Sequence, residues 1–253
     1  MPLDLVYFTG GPRLSVFEAI LADGHRINHV YANDPERWPK VQNTIDAARL
    51  RGIPVTIISR KAELSKLAAD IRGKVCFSAG FNYLFSTEMI DSAEVILNVH
   101  GSLLPKYPGA RTLAWAIENG ESESGVTVHV IDKGMDTGPI LLQRAFALSP
   151  FETTKSLARK TGEFEPRIVV EALRLYDTVS LTRVSAQNGQ ASSLENRVPA
   201  HSEVDPEQPL KNLVNKIRAA DPHDYPAYFY LNGEKVCVHI WRPDKPEDEG
   251  DLL

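Results

Sequence analysis

Val95-Ile96-Leu97-Asn98-Val99-His100-Gly101-Ser102-Leu103-Leu104-Pro105-Lys106-Tyr107-Pro108-Gly109 decides how this chain is read. The apolar run Val95 to Leu97 predicts a buried strand. Two polar residues, Asn98 and His100, follow where that strand ends, and glycine and proline then turn the chain away. Residues i and i+2 of a strand face the same way, so Asn98 and His100 converge on one small space. Polar side chains at the carboxyl edge of a sheet are the usual way an α/β protein presents chemistry, and buried polar groups there need partners.

Working outward, short apolar runs alternate with helical patterns. Strands are predicted at Leu3 to Phe8, Ile27 to Ala32, Val55 to Ile58, Val75 to Ser78 and Val95 to Val99. Helices are predicted at Leu14 to Leu21, Val41 to Arg51 and Ala62 to Ile71 between them. This alternation predicts an α/β fold with a mostly parallel, twisted sheet covered on both faces. After a helix at Leu113 to Glu118, Gly125 to Ile131 and Ile140 to Ala147 read as two further strands. The loop between them carries Asp136-Thr137-Gly138. A long helix is predicted from Thr154 to Tyr176, with Gly162 and Pro166 as points of interruption. The polar stretch Ala186 to Ser202 reads as a crossing loop or a linker. Pro209 to Ala219 reads as a helix, and Asn232-Gly233 between two β-type runs predicts a hairpin.

The division expected is a catalytic domain at 1–183, a connecting loop at 184–208, a small C-terminal α+β region at 209–243 and an acidic tail at 244–253. The two cysteines, Cys76 and Cys237, form no cluster, which argues for a reducing, cytoplasmic setting and against a disulfide framework. The start of the chain runs directly into a strand without the features of a signal peptide, and no apolar run reaches membrane-spanning length. A formal net charge of -5 gives no reason to expect bulk nucleic-acid binding. The histidines show no paired zinc-type spacing, so no metal is expected. His129 lies within a strand, either near Asp136 or inside the core. Gly10-Gly11 after the first strand is either a phosphate cradle or a plain tight turn, because Pro12 removes one amide donor. Arg197 and Arg218 are candidate phosphate ligands by charge. The aromatic residues Tyr225, Tyr228, Phe229, Tyr230 and Trp241 either pack the hairpin or stack on a base. Apolar strands near that hairpin either pair across a homodimer or cover their own domain.

The Asn98 to Gly109 stretch, followed by Gly125-Val126-Thr127-Val128-His129 and Asp136-Thr137-Gly138-Pro139-Ile140, resembles the folate-dependent formyltransferases over roughly residues 1 to 180. The resemblance implies a Rossmann-like formyltransferase fold in which Asn98, His100 and Asp136 are catalytic. It implies that the segment Phe77 to Phe85 lies beside the pterin of 10-formyltetrahydrofolate. Phe77, Ala79, Gly80, Phe81, Asn82 and Tyr83, with Asp132 and Asp136, are then the donor-binding set. Gly10, Gly11, Ser102, Lys106, Arg111 and Arg197 are the corresponding acceptor-binding set. Glycine after His100, together with the Pro209 to Val236 stretch, looks like the aminosugar branch. That implies a nucleotide-linked aminosugar as acceptor, with GDP-perosamine of bacterial lipopolysaccharide O-antigen synthesis the best match. Pro108 departs from the arabinose-formylating relatives, which carry arginine there; Arg111 is the candidate replacement. Two rival readings are a methionyl-tRNA formyltransferase and a non-catalytic module that binds a nucleotide sugar or folate.

Overall fold

The computed structural model describes residues 2–110, 112–189, 191–192, 195, 197–222 and 224–247. Seven strands form one sheet: β1 (Asp4–Thr9), β2 (Arg26–Asn33), β3 (Val55–Ile58), β4 (Val75–Ala79), β5 (Val95–His100), β6 (Glu123–Val130) and β7 (Ile140–Ala147). Their spatial order is β3-β2-β1-β4-β5-β6-β7. The first five are parallel, and β6 and β7 run antiparallel at one edge. This is the Rossmann-like fold expected. The strand order reverses between β1 and β4, and crevices at such a switch point are where open α/β sheets bind ligands.

Strand alternation divides the interior into two cores. Leu5 and Tyr7 of β1, Phe77 of β4, Val95, Leu97 and Val99 of β5 and Val126 and Val128 of β6 face one side. There they pack under helices α1 (Leu14–Ala22), α2 (Gln42–Leu50), α5 (Leu113–Glu118) and α6 (Thr154–Val179). Val6, Phe8, Cys76 and Ile96 face the other side, under α3 (Leu67–Asp70) and α4 (Thr87–Ser92). These two short helices leave the carboxyl ends of β4 and β5 uncovered on that second face, and the polar residues of the opening motif emerge there.

Three local expectations are revised. The helix read from Ala62 is a 3₁₀ segment (Lys61–Lys66) that becomes α-helical only at Leu67. Leu64 is its one buried side chain, too narrow an apolar stripe to enforce α-helical pitch. Helix α4, absent from the sequence reading, starts where the Ser86 hydroxyl accepts from the Met89 amide at 3.3 Å. Helix α6 runs unbroken for 26 residues through Gly162 and Pro166. The proline ring crowds the carbonyl four residues back. That carbonyl belongs to Gly162, beside which nothing lies within 4 Å of a Cβ position. Ile168, Val169, Ala172, Leu173 and Tyr176 hold the second half of the helix against the sheet.

At the C-terminal end, α7 (Leu210–Ala219) precedes the hairpin of β8 (Ala227–Leu231) and β9 (Glu234–Val238). Asn232 and Gly233 both take positive φ, as a two-residue hairpin turn of this hand requires. Ala227, Phe229 and Val238 pack on Leu213 and Ile217 of α7, so one hairpin face covers its own domain. Tyr225, Tyr230 and Trp241 are exposed. The tail from residue 248 lies outside the described residues.

Candidate active site

Register builds the site. Asn98 of β5 sits opposite Ser78 of β4 and opposite His129 of β6. Paired residues on neighbouring strands share a sheet face, so all three side chains point to the uncovered side. Asp136 reaches the same point from the β6–β7 loop. Its backbone takes φ 55, a left-handed conformation that aspartate tolerates better than most residues. Glycines shape this loop: a Cβ on Gly138 would stand 1.8 Å from the Val130 carbonyl oxygen. Asp132 braces it, accepting from the Gly134 amide at 3.0 Å and the Thr137 hydroxyl at 2.6 Å.

The Asp136 carboxylate is the hub. Oδ2 accepts from the Gly109 amide at 2.8 Å and lies 3.5 Å from His100 Nδ1. Oδ1 lies 3.4 Å from His129 Nε2 and 3.5 Å from Asn98 Nδ2. Burial raises the carboxyl pKa. The hydrogen bond with His129, the charge that His100 carries in the acid range where the carboxyl titrates, and the Gly109 amide outweigh it, so the pKa is held well below the usual carboxylate range. His100 is placed by an Nε2–H that donates to the Tyr107 carbonyl at 2.7 Å. This leaves Nδ1, on the Asp136 side, as the atom free to gain or lose a proton. Burial pushes the His100 pKa down, against the opposing pull of Asp136 and the Tyr107 carbonyl. The ring is therefore neutral at pH 7 and sits beside a fixed negative charge. His129 donates from Nδ1 to the Val130 carbonyl at 3.0 Å, which turns Nε2 toward Asn98 Nδ2 at 3.1 Å.

Beside this cluster opens a cleft whose walls include Ser78, Phe81, Tyr83, Phe85, Ile131 and Asp132. Phe81 packs edge-on to Phe8 and Tyr83, which fixes an aromatic wall. Asn98, His129 and Asp136 form the polar end of the cleft. Polar donors aimed into a largely apolar slot suit a flat heterocycle whose reacting group must be gripped at one end.

Several expected site residues do not line this cleft. Phe77 is fully buried in the larger core, stacked with Tyr7, because it lies on the opposite face from Asn98; Ser78 takes its place in the cleft. Ala79 faces the same core. Asn82 is held by Asn33, its amide and side chain donating at 2.9 and 3.0 Å, and shapes the loop. Gly10 donates to the Ala79 carbonyl at 3.2 Å and has no room for a Cβ beside Asn33 and Gly80, whereas Gly11 borders open space. Gly80 packs equally closely against the Gly10 carbonyl. Ser102 is buried, its hydroxyl donating between the carbonyls of Lys106 at 2.7 Å and Tyr107 at 3.2 Å, which stiffens the turn. Lys106 pairs with Glu121 at 3.2 Å. Arg197 pairs with Glu118 and lies over the Trp115 ring. Arg111 lies outside the described residues. The exchange of Phe77 for Ser78 is testable: Ser78→Phe should fill the cleft and raise the KM for the donor at least tenfold, while Phe77→Leu should cost about 1 kcal/mol of stability and leave that KM unchanged. Urea unfolding and steady-state kinetics check the pair.

Sequence reasoning left His129 between the core and the neighbourhood of Asp136; the structure places it beside Asp136, one residue before the end of β6. That reasoning missed Arg13 and Glu165, which pair at 3.3 Å beneath Gly101. Burial raises the Glu165 pKa in spite of Arg13.

Comparison with known proteins fits this geometry. Residues 41–173 match the family described as formyl transferase. A methionyl-tRNA formyltransferase from Anaeromyxobacter dehalogenans is 30% identical over 250 residues, covering 94% of this chain and 79% of the relative. Among solved structures, a sugar N-formyltransferase from a Shewanella species superposes with a TM-score of 0.70 at 16% identity, over 95% of this chain and 97% of that one. HypX from Aquifex aeolicus in complex with tetrahydrofolic acid gives a TM-score of 0.67 at 17% identity, over 94% of this chain and 37% of the other. This chain belongs to the formyltransferase family, and its reaction class is formyl transfer. Among the described residues no helix is long and apolar enough to cross a membrane, and no cluster of His, Cys, Asp and Glu suits a metal ion.

Proposed function

We propose that the protein transfers a formyl group from 10-formyltetrahydrofolate to the amine of a nucleotide-linked aminosugar in the cytoplasm, GDP-perosamine being the best candidate. The observation that carries the chemistry is the convergence of Asn98 and His100 on Asp136 beside an aromatic-walled cleft. The pterin would lie along Phe81, Tyr83 and Phe85, with its formyl group toward Asn98. The neutral acceptor amine attacks the formyl carbon, and the carbonyl oxygen becomes an oxyanion. Asn98 Nδ2 turns the hydrogen of its long 3.5 Å contact with Asp136 onto that oxygen and donates to it. The amine proton passes to His100 Nδ1, where the adjacent Asp136 stabilises the charge formed. The tetrahedral intermediate then collapses, its carbon–nitrogen bond to the folate breaks, and that nitrogen takes up the proton.

For the acceptor, the support is the glycine that follows His100, which looks like the aminosugar branch. A side chain there would stand 3.0 Å from Thr161 and 3.7 Å from Glu165, so glycine lets the loop beyond His100 settle against α6. The net charge of -5 also favours a small acceptor over tRNA. Methionyl-tRNA is the second reading, favoured by the 30% identity to an enzyme of that name. Incubation of the purified protein and donor with GDP-, dTDP- and UDP-linked aminosugars, and separately with methionyl-tRNA, decides between them by mass spectrometry. A formylated sugar nucleotide is the expected product. Formylated methionyl-tRNA alone would replace it, and donor binding without any product would leave only a binding module.

A further inference from the structure

The segment after β7's partner helix crosses back over the site. Ser185 and Ile140 exchange two backbone hydrogen bonds of 2.8 Å, which registers the returning chain on the first residue of β7. Two residues on, Gln187 Nε2 donates to the carbonyls of Asp136 at 2.7 Å and of Gly138 at 2.8 Å. An amide nitrogen has two hydrogens, and here both are used. Further along, the Glu195 carbonyl accepts from Trp115 Nε1 at 3.0 Å and Arg197 pairs with Glu118, which fixes the far end of the crossing to α5.

We propose that Gln187 is a positioning residue for the catalytic carboxylate: its side-chain amide clamps the two carbonyls that bracket the turn carrying Asp136. The turn needs such a clamp. Asp136 holds a left-handed backbone, and Gly138 is packed directly against the Val130 carbonyl. The Asp136 and Gly138 carbonyls point toward the crossing chain, and Gln187 supplies the donors they would otherwise lack. Without those donors the turn relaxes, and the side chain of Asp136 moves relative to Gly109, His100 and His129. Displacement of a catalytic group by an ångström costs rate far more than it costs binding.

The role in turnover rests on the formyl-transfer reading; the clamp itself does not. The test therefore combines two readouts on Gln187→Ala, Gln187→Glu and Gln187→Lys: titration of the Asp136 carboxyl by carbon NMR, and steady-state kinetics with thermal midpoints recorded. In Gln187→Ala the Asp136 titration should move up toward the ordinary carboxylate range, and kcat should fall about tenfold with both KM values within about threefold of wild type. Gln187→Glu, which turns an acceptor oxygen on two carbonyls, should be worse. Gln187→Lys, which restores N–H donors, should recover part of both losses. An unmoved Asp136 titration in Gln187→Ala and Gln187→Glu, with kcat within twofold or lost only in step with folded protein, would overturn the proposal. If the wild-type protein formylates no acceptor, the functional reading fails while the titration still decides the clamp.

Discussion

Asp136→Asn is expected to lower kcat about a thousandfold while leaving donor binding within about threefold of wild type. The argument is one of satisfiable bonds. Each carboxylate oxygen accepts from a fixed donor, Gly109 N at Oδ2 and Asn98 Nδ2 at Oδ1, with the ring nitrogens His100 Nδ1 and His129 Nε2 beside them. An asparagine offers one acceptor and one NH2. In either orientation its NH2 confronts donors, and the charge that stabilises protonated His100 is gone. A pH signature follows. Asp136 raises the His100 pKa against burial, so its removal lets that pKa fall further. The acid limb of the kcat/KM profile should therefore move to lower pH in Asp136→Asn. Stability changes with the opposite preference. A carboxyl whose folded pKa is depressed contributes stability above its unfolded pKa of about 4, and that contribution is lost as pH falls through and below it. Acid unfolding of the variant should be correspondingly less steep in that range. An unchanged kcat and pH profile would remove Asp136 from the mechanism.

Asn98→Ala and His100→Ala should each fold normally and lose about a hundredfold or more in kcat. Loss of one well-aimed oxyanion donor costs about 3 kcal/mol in comparable chemistry. Asn98 lines the cleft, and its removal leaves His129 facing Asp136 without its lateral partner. His100 lies at the edge of the sheet, and its backbone-anchored ring is the proton acceptor in the proposed route. The two variants should differ in pH dependence. Asn98→Ala should keep the acid limb set by His100, and His100→Ala should lose it. Circular dichroism with single-turnover rates on the accepted aminosugar checks both. Near-wild-type rates in either would sink its assignment.

The parallel sheet, its edge hairpin strands and the convergence of Asn98 with His100 were legible because each depends on periodicity or on i, i+2 geometry. Asp136 was not legible from spacing: the loop that brings it to Asn98 is shaped by Gly134, Gly138 and Asp132, and only resemblance to a family pointed to it. Phe77, expected beside the donor, lies in the larger core, and its neighbour Ser78 lines the cleft. A continuous apolar run such as Val75-Cys76-Phe77 carries no sign of which face is which, since both faces are buried at that depth. Gln187 lay in a polar stretch whose composition predicts a loop. That the loop is tied back onto the catalytic turn depends on contacts about fifty residues apart, which no local pattern encodes.

The division of the interior into two cores has a consequence for how sequence change is felt. Along Val95 to His100, odd positions enter the larger core and even positions face the smaller core or the cleft. On β6 the phase is inverted, with Val126 and Val128 in the larger core and His129 in the site. A saturation library scored at once for soluble abundance and for product would separate into two interleaved series, one poor in abundance and one abundant but inactive, with a beat of two residues and opposite phase on the adjacent strand. The sheet thus acts as a partition between heritable variation in folding and heritable variation in chemistry, and acceptor preference has room to drift on one side while the other stays under constraint.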